Sequence, residues 1–156
     1  MTVMVGQRAG KGHKIGLVVA QFNELVTEKL QAGAVSQLKK YGVSQDDITV
    51  VKVPGAMELP RIAKRLATSQ TVDGVIALGA VIRGETSHYD YVCAETASGL
   101  AQVSLDGPVP VMFGVLTTDT LDQAINRAGG KGGNKGADCA DGVLEMISIE
   151  QQIIAG

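Results

Sequence analysis

His88 stands in the run Arg83-Gly84-Glu85-Thr86-Ser87-His88, directly after the apolar stretch Val75 to Ile82. An imidazole placed there can take up and release a proton near neutral pH. A surface or capping histidine explains the same residue equally well, and the other histidine, His13, lies near the start of the chain. The run also carries a glycine-containing entry into a helix, where backbone N–H groups can meet a phosphate oxygen. Farther on, Arg127 and Lys135 flank Gly129-Gly130-Lys131-Gly132-Gly133. Two cations beside a flexible stretch could close on one anion; taken alone, two solvated charges beside a hinge is the simpler reading. Phe22-Asn23 follows another apolar run. Phe22 could stack on a flat ligand, but a core plug is the reading the residue alone favours. Asn23 has the default role of helix N-cap. Pro54-Gly55-Ala56 supplies a tight turn that admits a ligand to the backbone, and Glu58 adds a carboxylate that could equally complement a helix dipole.

Other chemistries lack their residues. Gly129 and Lys135 have roughly Walker separation, but Asn134 stands where that loop needs glycine and a helical pattern precedes it. No Gly-x-Ser-x-Gly elbow is present, and Cys93 and Cys139 form neither a Cys-x-x-Cys pair nor a zinc-finger spacing with histidine. Both cysteines read as small buried hydrophobes in a reducing compartment. The formal charge of −2 offers no basic face for nucleic acid or an anionic membrane surface. No apolar run reaches the roughly 18 residues of a membrane span, and Met1 to Lys14 lacks a signal-peptide core, so a cytoplasmic protein is expected. A mean hydropathy of +0.16 is apolar for a chain of this size, which points to apolar surface shared between subunits.

The elements that must position these residues alternate. Ile15 to Gln21 is apolar, and Val26, Leu30, Ala34, Leu38 and Tyr41 then recur at helical spacing up to Gly42. Ile48 to Val53 is rich in β-branched residues and stops at Pro54; Leu59, Ile62 and Leu66 mark a second helix with Pro60 in its first turn. Val75 to Ile82 precedes a helix through Cys93, Ala97, Leu100 and Ala101, and Val109 to Leu116 precedes one through Leu121, Ala124, Ile125 and Ala128. Ala140, Val143, Leu144 and Ile147 give a last helix. Four strand-then-helix units imply an α/β fold: a three-layer αβα sandwich whose four-stranded parallel sheet has helices on both faces, with ligands beyond the carboxyl ends of the strands. Residues 1–13 read as an N-terminal arm, with 14–156 as one domain. Thr2 to Val5 could be a short strand, which would need a sheet edge to join.

Phe22-Asn23, Pro54 to Pro60, Gly79 to Val92, Phe113 to Thr118 and Arg127 to Gly136 occur in an order that resembles the lumazine synthase family. Gly-Ala-Val-Ile-Arg-Gly-Glu-Thr-Ser-His-Tyr-Asp-Tyr-Val is the most specific of these blocks, and the likeness runs from about Lys14 to the end of the last helix. The resemblance implies a flavodoxin-like sheet and a transferase-class condensing enzyme that works without metal or organic cofactor. The implied reaction joins 5-amino-6-(D-ribitylamino)uracil to 3,4-dihydroxy-2-butanone 4-phosphate, giving 6,7-dimethyl-8-ribityllumazine, the precursor of riboflavin. By that likeness Phe22 stacks on the pyrimidine, beside Asn23. Ala56, Met57 and Glu58 hold the ribityl chain and ring, and Ala80, Val81 and Ile82 line the ring pocket. Glu85 and Thr86 meet the phosphate, Glu85 through its backbone N–H. His88 is the proton shuttle, Arg127 the phosphate clamp and Lys135 a second cation, while Phe113 closes the pocket from a neighbouring subunit. The likeness further implies homopentamers, their assembly into an icosahedral sixty-chain shell, riboflavin synthase as a companion, and a strand from Thr2 to Val5 added to a neighbour's sheet. Two rivals use the same sheet: a flavin- or lumazine-binding module without chemistry, and a shell protein whose pocket is vestigial. His88, Arg127 and Lys135 discriminate, since storage of a flat ring needs no proton shuttle or second phosphate site.

Overall fold

The computed structural model describes residues 1–156. Four strands, β1 (Ile15–Ala20), β2 (Ile48–Val53), β3 (Gly74–Ile82) and β4 (Val111–Thr118), form one sheet in the order β2-β1-β3-β4. Every pairing is parallel: Ile15 lies opposite both Ile48 and Gly74, and Ile82 opposite Thr118. This is the α/β sandwich with a four-stranded parallel sheet that the alternating pattern implies. The chain crosses between strands through α1 (Glu24–Lys40), α2 (Leu59–Thr68) and α3 (His88–Asp106), then adds α4 (Leu121–Asn126) and α5 (Lys135–Ala155).

Side-chain alternation along the strands divides the interior in two. Ile15, Leu17 and Val19 of β1, with Ile76, Leu78 and Ala80 of β3, pack against Val26, Leu30, Ala34 and Leu38 of α1 and Val143, Leu144 and Ile147 of α5. Val18 and Ala20, with Val75 and Ala77, face the opposite way onto Leu59, Ala63 and Ala67 of α2 and Val92 and Leu100 of α3. The buried line of α2 is therefore Leu59-Ala63-Ala67, and the expected Ile62 and Leu66 flank it, half-buried. Each fully buried leucine or isoleucine contributes on the order of 1.5–3 kcal/mol, so the two apolar layers dominate the fold's stability.

Local chemistry sets the ends of the elements. α1 stops where Gly42, at φ 99°, turns the chain back, and the N–H groups of Gly42 and Val43 reach the carbonyls of Lys39 and Leu38 at 3.1 and 3.0 Å. α4 begins with a reciprocal cap: Thr120 Oγ1 accepts from the Gln123 N–H at 3.1 Å, and Gln123 Oε1 accepts from the Thr120 N–H at 3.2 Å. α4 then ends at Asn126, so Ala128 belongs to a strand and not to the expected helical face.

Residues 1–10 form no strand in the single chain. They lie along α5: the Gln7 N–H donates to Ser148 Oγ at 3.0 Å, Gln152 Nε2 donates to the Val5 carbonyl at 2.9 Å, and Arg8 Nε meets Glu145 at 2.6 Å. Val3 and Val5 remain exposed.

Candidate active site

The carboxyl ends of β1, β2 and β3 open into a cavity of about 540 Å³. This is where the twist and handed connections of a parallel sheet leave a crevice between its loops. The wall from the β1–α1 loop is Phe22 and Asn23; the β2–α2 turn contributes Pro54 to Glu58. Ala80, Val81 and Ile82 form the floor, the β3–α3 connection brings Gly84 and Thr86, and the first residue of α3 brings His88.

Phe22 is not a core plug. It is 72% exposed at the cavity, and its N–H donates to the Pro54 carbonyl at 3.0 Å, which binds the first loop to the second. Asn23 departs from the expected cap as well. Its backbone is left-handed, with φ 63°, and its side chain makes no bond to the start of α1. Asn23 Nδ2 instead donates to the Ala80 carbonyl at 2.7 Å, tying the loop that carries Phe22 to the floor of the cavity. Asparagine tolerates this conformation better than other non-glycine residues, and here the side-chain bond offsets the strain.

Glu58 precedes α2 without a side-chain capping bond, and it lines the cavity beside Met57 and Ala56. Between Ile82 and α3 the chain exposes Arg83 to Ser87, and the His88 N–H lies 3.4 Å from Thr86 Oγ1. Glu85 is exposed and stands outside the cavity wall, whereas Gly84 and Thr86 on either side of it belong to that wall. Arg83, the nearest cation in sequence, is already engaged. Its Nε donates to Asp119 Oδ1 at 2.9 Å, its Nη1 lies 3.6 Å from Asp90, and its guanidinium sits 4.3 Å from the centroid of Tyr89. The hydrogen bond to Asp119 raises the Arg83 pKa further above its ordinary value, so the charge is permanent and committed.

Tyr89 and Val92 also line the cavity and were not among the candidates read from the sequence. The available signal was helical spacing: Val92 lies one turn beyond His88 on α3, and Tyr89 beside it. Burial pushes the Tyr89 phenol above its usual pKa, keeping it a neutral hydroxyl near neutral pH. Neither thiol is activated. Burial raises the Cys93 pKa and lifts that of Cys139 to about 11; Cys139 is buried as expected, while Cys93 is only half-buried.

Besides Glu85, three candidates lie outside this cavity within one chain. Phe113 sits in the middle of β4, opposite Ala77, and is 37% exposed at the sheet edge. Arg127 and Lys135 are exposed at the ends of a short connection, joined by a bond of 2.9 Å from the Lys135 N–H to the Arg127 carbonyl. Neither cation is within ion-pair distance of a carboxylate, in contrast to Arg83. The connection is not the expected loose hinge: β5 (Ala128–Gly130) and β6 (Gly133–Asn134) pair antiparallel within it. One chain thus presents an apolar, ring-sized cavity edged by a carboxylate and an imidazole, and separately two unpaired cations whose backbones are joined at the base of one hairpin.

A family profile described as 6,7-dimethyl-8-ribityllumazine synthase matches residues 12–151. The chain is 58% identical over 153 residues to the 6,7-dimethyl-8-ribityllumazine synthase of Levilactobacillus brevis, covering 98% of both chains. It is 56% identical over 153 residues to the protein of that name from Pediococcus pentosaceus, again covering 98% of both.

Proposed function

Since the chain belongs to the 6,7-dimethyl-8-ribityllumazine synthase family, we propose how its residues divide the work of that reaction between neighbouring subunits. The protein is a condensing enzyme of riboflavin biosynthesis, joining 5-amino-6-(D-ribitylamino)uracil to 3,4-dihydroxy-2-butanone 4-phosphate with loss of phosphate and water. Its substrates are small molecules, and the family works as an oligomer.

The observation that supports the division most is the placement of the candidates: Phe22, Glu58, Ile82 and His88 share one cavity, while Phe113, Arg127 and Lys135 stand outside it. In this reading the pyrimidine enters the cavity. Phe22 stacks on the ring, the Val81 and Ile82 backbone lines its edge, and Ala56, Met57 and Glu58 hold the ring and the ribityl chain. The second substrate lies across the start of α3, its phosphate met by the Glu85 N–H and by Thr86, with the Glu85 carboxylate turned away from the like charge. A neighbouring subunit supplies Phe113 against the pyrimidine, Arg127 on the phosphate and Lys135 near the reacting carbonyl.

The chemistry needs those groups. Forming the imine, expelling phosphate and closing the ring each move protons between nitrogen, carbon and oxygen, and a single imidazole at the cavity edge can relay them. Arginine offers a planar fork that matches phosphate through two parallel bonds. Holding two substrates in contact supplies much of the acceleration, since effective molarities for well-oriented groups reach roughly 10⁵ M or more.

The oligomer in this reading is a pentamer, with residues 1–13 as an arm whose Thr2 to Val5 segment adds to the neighbour's sheet; the exposed Val3 and Val5 support that role. Pentamers assemble further into an icosahedral shell, with riboflavin synthase as a companion. The enzyme acts in the cytoplasm, where its biosynthetic role lies, and no helix is long and apolar enough to cross a membrane.

Co-assembly tests the division of the site. A chain carrying Phe22→Ala with His88→Ala is co-expressed with one carrying Arg127→Ala, and the mixed oligomers are purified. Activity above that of either parent is expected, because a cavity with Phe22 and His88 meets an intact Arg127 at some interfaces. Activity no higher than the average of the separate parents would place all three residues of a working site on one chain.

A further inference from the structure

The connection that carries Arg127 and Lys135 contains Gly129, Gly130, Gly132 and Gly133, yet it is fastened at several points. The Lys135 N–H donates to the Arg127 carbonyl at 2.9 Å and the Gly132 N–H to the Asn126 carbonyl at 2.7 Å, so the hairpin closes on itself. One side chain then joins it to the body of the protein. Asn134 Oδ1 accepts from the Ala137 N–H at 3.1 Å, capping α5, while Asn134 Nδ2 donates to the Lys29 carbonyl of α1 at 3.0 Å. The carboxamide can face only one way here, because an N–H must meet its oxygen and a carbonyl must meet its NH₂. A carbonyl in mid-helix has a second lone pair free beside its helical bond. Asn134 reaches it because the adjacent turn of α1 carries glycine: a Cβ on Gly33 would fall inside the Asn134 carboxamide. Gly136 completes the fit, since a Cβ there would overlap the backbone carbonyl of Leu30.

We propose that Asn134 is the positioning residue for the two cations, fixing the backbone that carries Arg127 and Lys135 against α1. Asn134 does not act on the substrate itself. Its bonds to α1 and α5 set where the base of the hairpin sits, and the phosphate reads that placement through Arg127. The inference rests on the assignment of Arg127 and Lys135 to the phosphate.

Two substitutions separate positioning from helix capping. Asn134→Ser keeps an oxygen that can cap α5 and removes the amide donor to Lys29; Asn134→Ala removes both. Displacing a binding group by a fraction of an ångström to an ångström is expected to raise the KM for 3,4-dihydroxy-2-butanone 4-phosphate by about tenfold in each variant. The KM for the pyrimidine substrate should stay within about twofold, and inhibition by inorganic phosphate should weaken in step. Loss of the cap lowers the melting temperature of the alanine variant alone, so a shared KM change with different melting temperatures identifies positioning. Gly33→Ala, which expels the carboxamide from α1 with Asn134 still in place, should reproduce the serine variant. An unchanged phosphate-substrate KM in Asn134→Ser, alongside a raised one in Arg127→Ala, would overturn the role of Asn134 alone. If Arg127→Ala were silent too, the assignment of Arg127 would fall and this inference with it.

Discussion

Replacing Arg127 by alanine should raise the KM for 3,4-dihydroxy-2-butanone 4-phosphate by roughly ten- to a hundredfold, with little change in the KM for the pyrimidine substrate. A hydrogen bond to a charged group contributes about 1.5–3 kcal/mol, and each 1.36 kcal/mol is a factor of about ten. Arg127 is suited to supply it because no carboxylate holds its guanidinium, whereas Arg83 is pinned by Asp119 and Asp90 and stacked on Tyr89. Arg127→Lys should recover part of the loss, since the charge is kept and the bidentate fork is not. Steady-state kinetics with one substrate varied at a time distinguishes these outcomes. A rate whose dependence on the phosphorylated substrate is unchanged in Arg127→Ala would remove Arg127 from the phosphate.

His88→Ala should lower kcat by roughly a hundredfold, at the lower end of the ~10²–10⁴ range of general acid–base catalysis. Turnover should persist, because the cavity still holds the two substrates in contact and water can carry protons more slowly. The position of His88 fits a relay and not a structural role: it is exposed in the first turn of α3, lines the cavity, and makes no ion pair. The substitution should therefore leave thermal stability nearly unchanged, as surface replacements usually do within about 0.5 kcal/mol. A folded variant without any turnover would make the imidazole indispensable, contrary to an account based largely on substrate positioning. A fully active one would deny it a role.

The sheet and its helices were legible because their signal is periodic. Continuous apolar runs such as Val75 to Ile82 can be buried on both faces only between two helical layers, and Leu30, Ala34 and Leu38 could face only the interior. The cavity then follows from the fold rule, which places ligands beyond the carboxyl ends of parallel strands. What periodicity does not carry is where a single polar or aromatic side chain at a strand end turns. Phe22 reads as a core plug from its type, yet neither apolar layer includes it and it stands in solvent at the cavity. Asn23 has the composition of a cap, but its left-handed backbone points the amide across the loop to Ala80. The glycine-rich stretch from 129 to 133 reads as a hinge because composition reports the freedom of an unfolded chain. Asn134, Gly33 and Gly136 remove that freedom through contacts with α1, whose residues lie about a hundred positions earlier in the sequence. The resemblance to the lumazine synthases supplied roles for Arg127, Lys135 and Phe113 that no local pattern in one chain contains, since in that reading their partners stand on another copy.

Mixing the purified protein with 5-amino-6-(D-ribitylamino)uracil and 3,4-dihydroxy-2-butanone 4-phosphate, in the presence of a chelator and without added metal, is the most direct test of the central claim. Product is followed by the absorbance or fluorescence of 6,7-dimethyl-8-ribityllumazine. Sustained formation, dependent on both substrates and unaffected by the chelator, is the predicted result. Binding of the pyrimidine by a properly assembled protein with no product, or turnover that the chelator abolishes and added metal restores, would contradict a cofactor-free condensation run by His88 in the cavity and Arg127 brought to it by a neighbouring subunit.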